Sequence, residues 1–413
     1  MGNHWHLEQT IFVTKQELAR KAIEDSNWDE AEKLQFSNVI GAVSNLLVLE
    51  SFNKLDHLKA IYTKFDPDSE NLESLTNYSI SEDAFLEELE KGIIDLLEKG
   101  NFERITWEMV TQWVEKSGDF WGLKLEIPHD EFERTLIYSR GEKFINRKVR
   151  RWWKPWIKEV IPTPGFSRIV VFIKMKPKER KSGEFSHQKV FLKLFKNIPK
   201  NEISMIFPGA KVRLTGIDQS LISYPLFSGI ILVIYNVIMT ILKVGFTALL
   251  GITTWPLALA FGGYGYKTYY NYVSKRQNYE LRLTKNLYFQ SLDSNAGVVM
   301  KLLEEAEEQE SRECILGYYA LLKYAPPQGW TEKQLDDYVE LFLARNYGLE
   351  VDFEIKDCLE KLTYFGIVAS ADGYYRALNP CDAIAKLTEL WQLNFTGKKF
   401  LNKQCPEIEH GGK

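Results

Sequence analysis

At 413 residues, with 45% hydrophobic and 26% charged side chains, the chain has room for two or three domains of ordinary size. Its mean hydropathy of -0.26 excludes a transporter built mostly of membrane spans. The four cysteines, Cys314, Cys358, Cys381 and Cys405, fall in the last third without a CxxC pair, which excludes a disulfide-stapled scaffold and favours a reducing compartment.

The net charge of -4 conceals a segregation of sign. Residues 1–133 hold 12 Lys and Arg against 28 Asp and Glu, whereas residues 134–216 hold 21 against 5. Residues 217–413 are nearly balanced, 19 against 23. A basic block of this kind is expected to face an anionic surface or the acidic N-terminal region of its own chain. The first residues, Met-Gly-Asn-His-Trp-His, lack the basic start and apolar run of a cleaved signal peptide. His6 stands where N-myristoylation wants Ser or Thr.

Thr14 and Glu17 have capping-box spacing and open the first predicted helix. Phe36, Val39, Ile40, Val43, Leu46 and Leu47, then Leu55, Leu58 and Ile61, recur at helical period until Asp66-Pro67-Asp68 breaks the pattern. A further helix runs from about Ser81 with Phe85, Leu89, Ile93, Leu96 and Leu97 on one side. Thr106 caps another that carries Trp107, Val110 and Trp113. Gly122–Ile127 and Thr135–Tyr138 read as strands. So do Arg168–Lys174 and Lys189–Phe195, rich in β-branched and aromatic residues and joined by a charged loop. The C-terminal part returns to helices over Val299–Ala306 and Tyr318–Leu322, after which Pro326-Pro327 intervenes. Thr331 caps one more helix and Asp352 another, and Asp372-Gly373 signals a hairpin. Helix, helix, hairpin is the order of a winged-helix module.

From Gln219 to Tyr266 the one charged residue is Lys243; Leu226–Leu242 is almost wholly apolar, Phe246–Gly263 contains no charge, and each arm has about 18–20 usable residues. At about 1.5 Å per residue each arm approaches the thickness of a bilayer core. The expectation is a two-helix transmembrane hairpin with its turn at Lys243 and Gly245. Ala258 and Gly262 supply small-xxx-small packing. Basic flanks on both sides, Lys211 and Arg213, then Lys267, Lys275, Arg276, Arg282 and Lys285, place both soluble regions on the cytoplasmic side, the inner membrane if bacterial. The rival readings are a hairpin buried in a soluble core and a re-entrant one interrupted at Asn236 and Pro256.

The densest candidate site is the run Arg147, Lys148, Val149, Arg150, Arg151, Trp152, Trp153, Lys154, Pro155, Trp156, Ile157, Lys158. Its cations suit anionic headgroups and its tryptophans suit the membrane interface. Nucleic acid or a plain solvated face would accept the same residues, and the adjacent apolar segment favours lipid. The presumptive second helix of the winged-helix module carries Asp352, Glu354, Asp357 and Glu360 against Lys356 and Lys361, a poor match to phosphate. Protein–protein contact or plain architecture suits it better; the partners expected for the chain are the lipid bilayer with its anionic headgroups and a protein partner or homo-oligomer. Glu304, Glu305, Glu307, Glu308, Glu310 and Glu313 have no histidine at metal-ligand spacing and read as a solvated face. Asp66, Asp68 and Glu70 resemble the start of a calcium loop, but Asn71 and Asn77 occupy its glycine and closing glutamate positions. No GxxxxGK[ST], HExxH or GxSxG is present, so no metal, cofactor or catalytic residue is expected.

Phe191–Lys200 (FLKLFKNIPK), Met205–Pro208, Leu287–Gly297 (LYFQSLDSNAG) and Leu303–Glu310 together resemble the family known as domain of unknown function 3754, which includes transmembrane protein 143. The resemblance extends from about Ile11 to Pro380, through Phe65–Asp68 and Tyr138–Glu142. It implies a membrane-associated protein with a central hydrophobic pair and no established activity.

The combined expectation is an α+β membrane protein. It has an acidic, mainly helical region (1–133), a basic β-rich module (134–218), the transmembrane helical hairpin (219–266), a helical winged-helix-like domain (267–393) and a tail (394–413). The expected function is that of a membrane-anchored scaffold or regulator whose basic module meets anionic lipid. The alternatives are an enzyme acting on a membrane-proximal substrate and nucleic-acid binding through residues 147–158.

Overall fold

The computed structural model describes residues 10–25, 28–68, 82–117, 123–150, 158–176, 189–214 and 287–395, with isolated helical positions between 231 and 285. The chain forms two units, one from residues 1–103 and 295–413, the other from residues 104–294.

The first unit is helical. Helix α1 (Lys15–Asp25) opens at Thr14, whose Oγ1 accepts the Glu17 amide at 3.3 Å. Helix α2 (Glu30–Tyr62) starts with a full capping box between Asp29 and Glu32 and buries Phe36, Val39, Val43, Leu46 and Leu47, the face expected from the periodicity. Helix α3 (Glu82–Lys99) buries Leu86, Leu89, Ile93, Leu96 and Leu97. At the centre lies α5 (Ala296–Lys323), contacted by α1, α2, α3, α6 (Glu332–Tyr347) and α7 (Ile355–Tyr364). Its Tyr318 and Tyr319 pack on Phe36, the former stacked at 6.3 Å.

The winged-helix order is present in this unit. Helix α6 is capped by Thr331 with Gln334 and ends at Gly348, which takes φ +66°. Strands β9 (Val368–Ala371) and β10 (Tyr374–Ala377) form a hairpin, joined by β8 (Trp330–Thr331) in the order β8-β10-β9. Asp372 and Gly373 both take positive φ, +51° and +78°, which a two-residue turn of the hairpin-favouring hand requires. Asp352 does not cap α7. The Phe353 side chain is buried and its amide donates to Glu340 Oε1 at 3.2 Å, so the helix starts after Glu354, without a side-chain cap. Helix α8 (Pro380–Phe395) closes the unit against α2.

The second unit is built on a five-stranded antiparallel sheet of order β1-β3-β4-β5-β7: Glu103–Arg104, Phe132–Arg150, Lys158–Met175, Val190–Pro199 and Ser291–Ser294. Strands β2 (Leu123–Glu126) and β6 (Lys211–Leu214) pair separately. Along β4, Ile169, Val171 and Ile173 belong to a core with Val110 and Val114 of α4 (Trp107–Ser117) and with Ile203 and Phe207. Val170 and Phe172, of opposite parity, are buried too. A strand buried on both faces reads as an unbroken apolar run, which is how 168–174 reads in the sequence.

The α+β expectation holds, but the transmembrane hairpin is corrected. Among the described residues no helix is long and apolar enough to cross a membrane. The described helices of eighteen residues or more are α2, α3 and α5. The latter two are charged along their length, and α2 interrupts its apolar run with Asn38, Ser44, Asn45 and Glu50. Residues 219–266 lie outside the described residues apart from isolated helical positions. Among these, Ile231, Ile234, Tyr235, Ile238 and Leu242 are exposed.

Gly165 sits at the last rung that β4 shares with β5, opposite Pro199. A Cβ there would meet Ile145 Cδ1 at 2.5 Å and the Ile198 carbonyl oxygen at 2.6 Å. Gly165→Val should therefore destabilise the fold by about 1–3 kcal/mol through overpacking. Urea unfolding checks this, and an unchanged midpoint would show that the junction is looser than described.

Candidate functional site

The two central strands outrun their neighbours. Strand β5 stops at the Gly165–Pro199 rung, whereas β3 and β4 continue from Lys143 opposite Gly165 to Arg150 opposite Lys158. At about 3.4 Å per residue the two-stranded ribbon is roughly 24 Å long. Phe144 and Val160 on it are more than half exposed, and Asn146 and Pro162 are exposed opposite each other. Pro162 and Pro164 remove two amide donors from β4 where β5 is absent, which discourages a further strand from adding.

The ribbon carries the sequence-predicted site at its end. Arg147 lies opposite Ile161, Lys148 opposite Val160, and Arg150 opposite Lys158. Arg151, Trp152, Trp153, Lys154 and Trp156 lie outside the described residues, as do Lys243, Gly245, Ala258 and Gly262 of the expected hairpin. The fold brings the two ends of the basic run, residues 147–150 and 158, onto neighbouring strands. The strand expectations Thr135–Tyr138 and Arg168–Lys174 were too short to show this. Strand β3 carries Lys, Arg and Asn where periodicity reasoning sees only polarity. The signal that was available is two β-compatible runs, 143–149 and 158–164, flanking a short polar-aromatic segment.

A second polar cluster was misread as solvated. Glu305, Glu307 and Glu313 on α5 are buried, because α5 is the central helix and is surrounded on most sides. Glu307 pairs with Lys15 at 3.1 Å and Glu310 with Lys361 at 3.6 Å. Lys361 also meets Glu50 at 2.9 Å. The Glu313 Oε1 accepts from Gln309 Nε2 at 2.7 Å and from Asn101 Nδ2 at 3.3 Å. Burial pushes the Glu313 carboxyl up to about 8, reinforced by Asp357 and Glu310 and opposed by the two amide donors. Among the described residues no group of three or more His, Cys, Asp or Glu is placed to hold a metal.

The winged-helix surface is acidic as well. Burial raises the Asp336 carboxyl to about 6, helped by Glu340, Asp352, Asp337 and Glu332 around it. Phosphate would meet repulsion there.

Residues 166–297 match the family described as protein of unknown function (DUF3754). The match covers β5 and β7 and most of the pairing between β4 and β5, and says nothing of transmembrane protein 143 in particular. No solved structure matches the chain.

Because the Arg150–Lys158 rung lies beyond the five-stranded sheet, Arg150→Thr should leave stability within about 0.5 kcal/mol of the parent or raise it slightly. A urea titration reads this directly. A loss above about 2 kcal/mol would instead give Arg150 a buried structural role.

Proposed function

With residues 166–297 a region of the DUF3754 family, whose description assigns no activity, we propose that the protein is a non-enzymatic scaffold or regulator that docks on anionic phospholipid through the β3–β4 ribbon. The observation that carries this reading is the cationic rung at the ribbon's end, Arg150 opposite Lys158. It brackets a segment, Arg151–Ile157, with two further cations and three tryptophans. The contact is peripheral and needs no spanning helix.

The chemistry supports a lipid surface on two counts. Basic side chains near such a surface contribute about 1 kcal/mol each, so six of them, Arg147, Lys148, Arg150, Arg151, Lys154 and Lys158, supply several kcal/mol together. Tryptophan favours the headgroup region, where its ring is covered and its N–H stays solvated. A ribbon also reaches a flat surface without exposing the sheet's own core to it. The alternatives, an enzyme acting on lipid or another membrane-proximal substrate and nucleic-acid binding through the same run, have no separate observation behind them.

Flotation of the full chain with phosphatidylcholine vesicles, with and without phosphatidylserine, tests the proposal. Binding should require phosphatidylserine and weaken as salt rises. Arg150→Glu combined with Lys158→Glu should reduce it roughly tenfold or more, since two attractive charges become repulsive. Equal binding to neutral vesicles by parent and variant, or tighter retention by single-stranded nucleic acid than by vesicles, would overturn it.

A further inference from the structure

We infer that Glu313 is a proton-linked latch that fastens the turn after α3, and the segment before α1, onto the central helix α5. The geometry is that of a buried acid that has no ion-pair partner among the described residues. The residue is 3% exposed, and its Oε1 accepts from two neutral amides, Gln309 and Asn101.

Each partner ties down a different piece of chain. Asn101 occupies the left-handed region at φ +55°, in the turn that ends α3, where the Phe102 amide bonds back to the Leu97 carbonyl. Asparagine tolerates that conformation better than most residues, and its amide is then free to point inward. Gln309 Oε1 accepts the Ile11 amide at 3.3 Å, so the same two residues reach the segment before α1. From α7, Cys358 Sγ donates to the Glu313 carbonyl at 3.2 Å.

The surrounding charges do not neutralise an ionised Glu313. Asp357 of α7 and Glu310 of α5 repel it. Lys361 of α7 is engaged by Glu50 and Glu310. Lys99 of α3 and Lys54 of α2 share Asp95, at 3.1 and 3.4 Å. The Cys314 and Cys358 thiols nearby are held protonated by burial. The two amide donors favour the carboxylate and offset part of the cost of burying its charge, and burial outweighs them.

The sign follows from linkage. The folded-state value is raised, to about 8 from an ordinary carboxyl value, so the stabilising contribution is complete at acid pH. It is lost progressively as pH rises toward 8, because the opened segment releases the proton and the closed one holds it. Above that, the closed state bears a buried charge and the loss levels off. Alkalinisation thus loosens the α3 turn while the rest of unit one stays folded.

Native-state hydrogen exchange on the full chain tests this at Gly100, Asn101 and Phe102, with rates corrected for intrinsic chemistry. Between about pH 5 and 8, protection should fall by as much as tenfold per pH unit in the parent and stay flat in Glu313→Gln. A flat parent profile, or the same slope in both proteins, would overturn the latch. If Glu313→Gln fails to fold, infrared spectroscopy of the parent decides. A protonated-carboxyl band surviving at neutral pH and lost above about pH 8 supports it, and the absence of any such band at neutral pH contradicts it.

Discussion

The antiparallel ladder between β3 and β4 is the constraint on which the second unit depends. It runs from Phe132 opposite Met175 to Arg150 opposite Lys158, and it does two different things along its length. In its first half it is the middle of a sheet, with β5 on one side and apolar side chains buried on both faces. In its second half it has lost its neighbour and its core, and backbone hydrogen bonding across two strands carries it outward. Isolated two-stranded ribbons are marginal in water, so this one depends on being continuous with the sheet behind it. Gly165, Pro162 and Pro164 mark the change of role: the glycine lets β5 approach up to its last rung, and the prolines withhold donors beyond it.

The helical unit is organised differently, around one buried helix. Helix α5 meets five other helices and supplies aromatic rings to the core with α2, yet its sequence is dense in glutamate. The polar side chains find partners from other elements, as in Lys15–Glu307 and Lys361–Glu50. A central helix whose buried polar groups are matched in this way holds its neighbours in one register, at the cost of sensitivity to the charge state of its least compensated member. Glu313 is that member.

Much of this was legible in the sequence where local physics decides. The buried face of α2, the caps at Thr14 and Thr331, and the Asp372-Gly373 turn all follow from period and backbone preference, and each stands in the structure. What failed were readings that depend on tertiary surroundings. The acidic stretch of α5 looks solvated until several other elements are seen to cover it. Asp352 has the chemistry of a cap, but burial of Phe353 next to it sets the helix start instead. The apolar stretch 219–266 shows that hydrophobic side chains need cover without showing what supplies it. Of the candidate site, the residue types were legible and the arrangement was not. That Arg150 and Lys158 share a rung is a fact of register, which a strand of mixed polarity does not announce.

The central claim is that the end of the ribbon meets an anionic lipid surface, and the most direct measurement is photocrosslinking from its aromatic segment. A photoreactive amino acid placed at Trp153 in the full chain, irradiated with membranes containing phosphatidylserine, should give adducts with anionic lipid that disappear when phosphatidylcholine alone is present. Adducts confined to protein or nucleic acid in a mixture that offers all three would contradict the account.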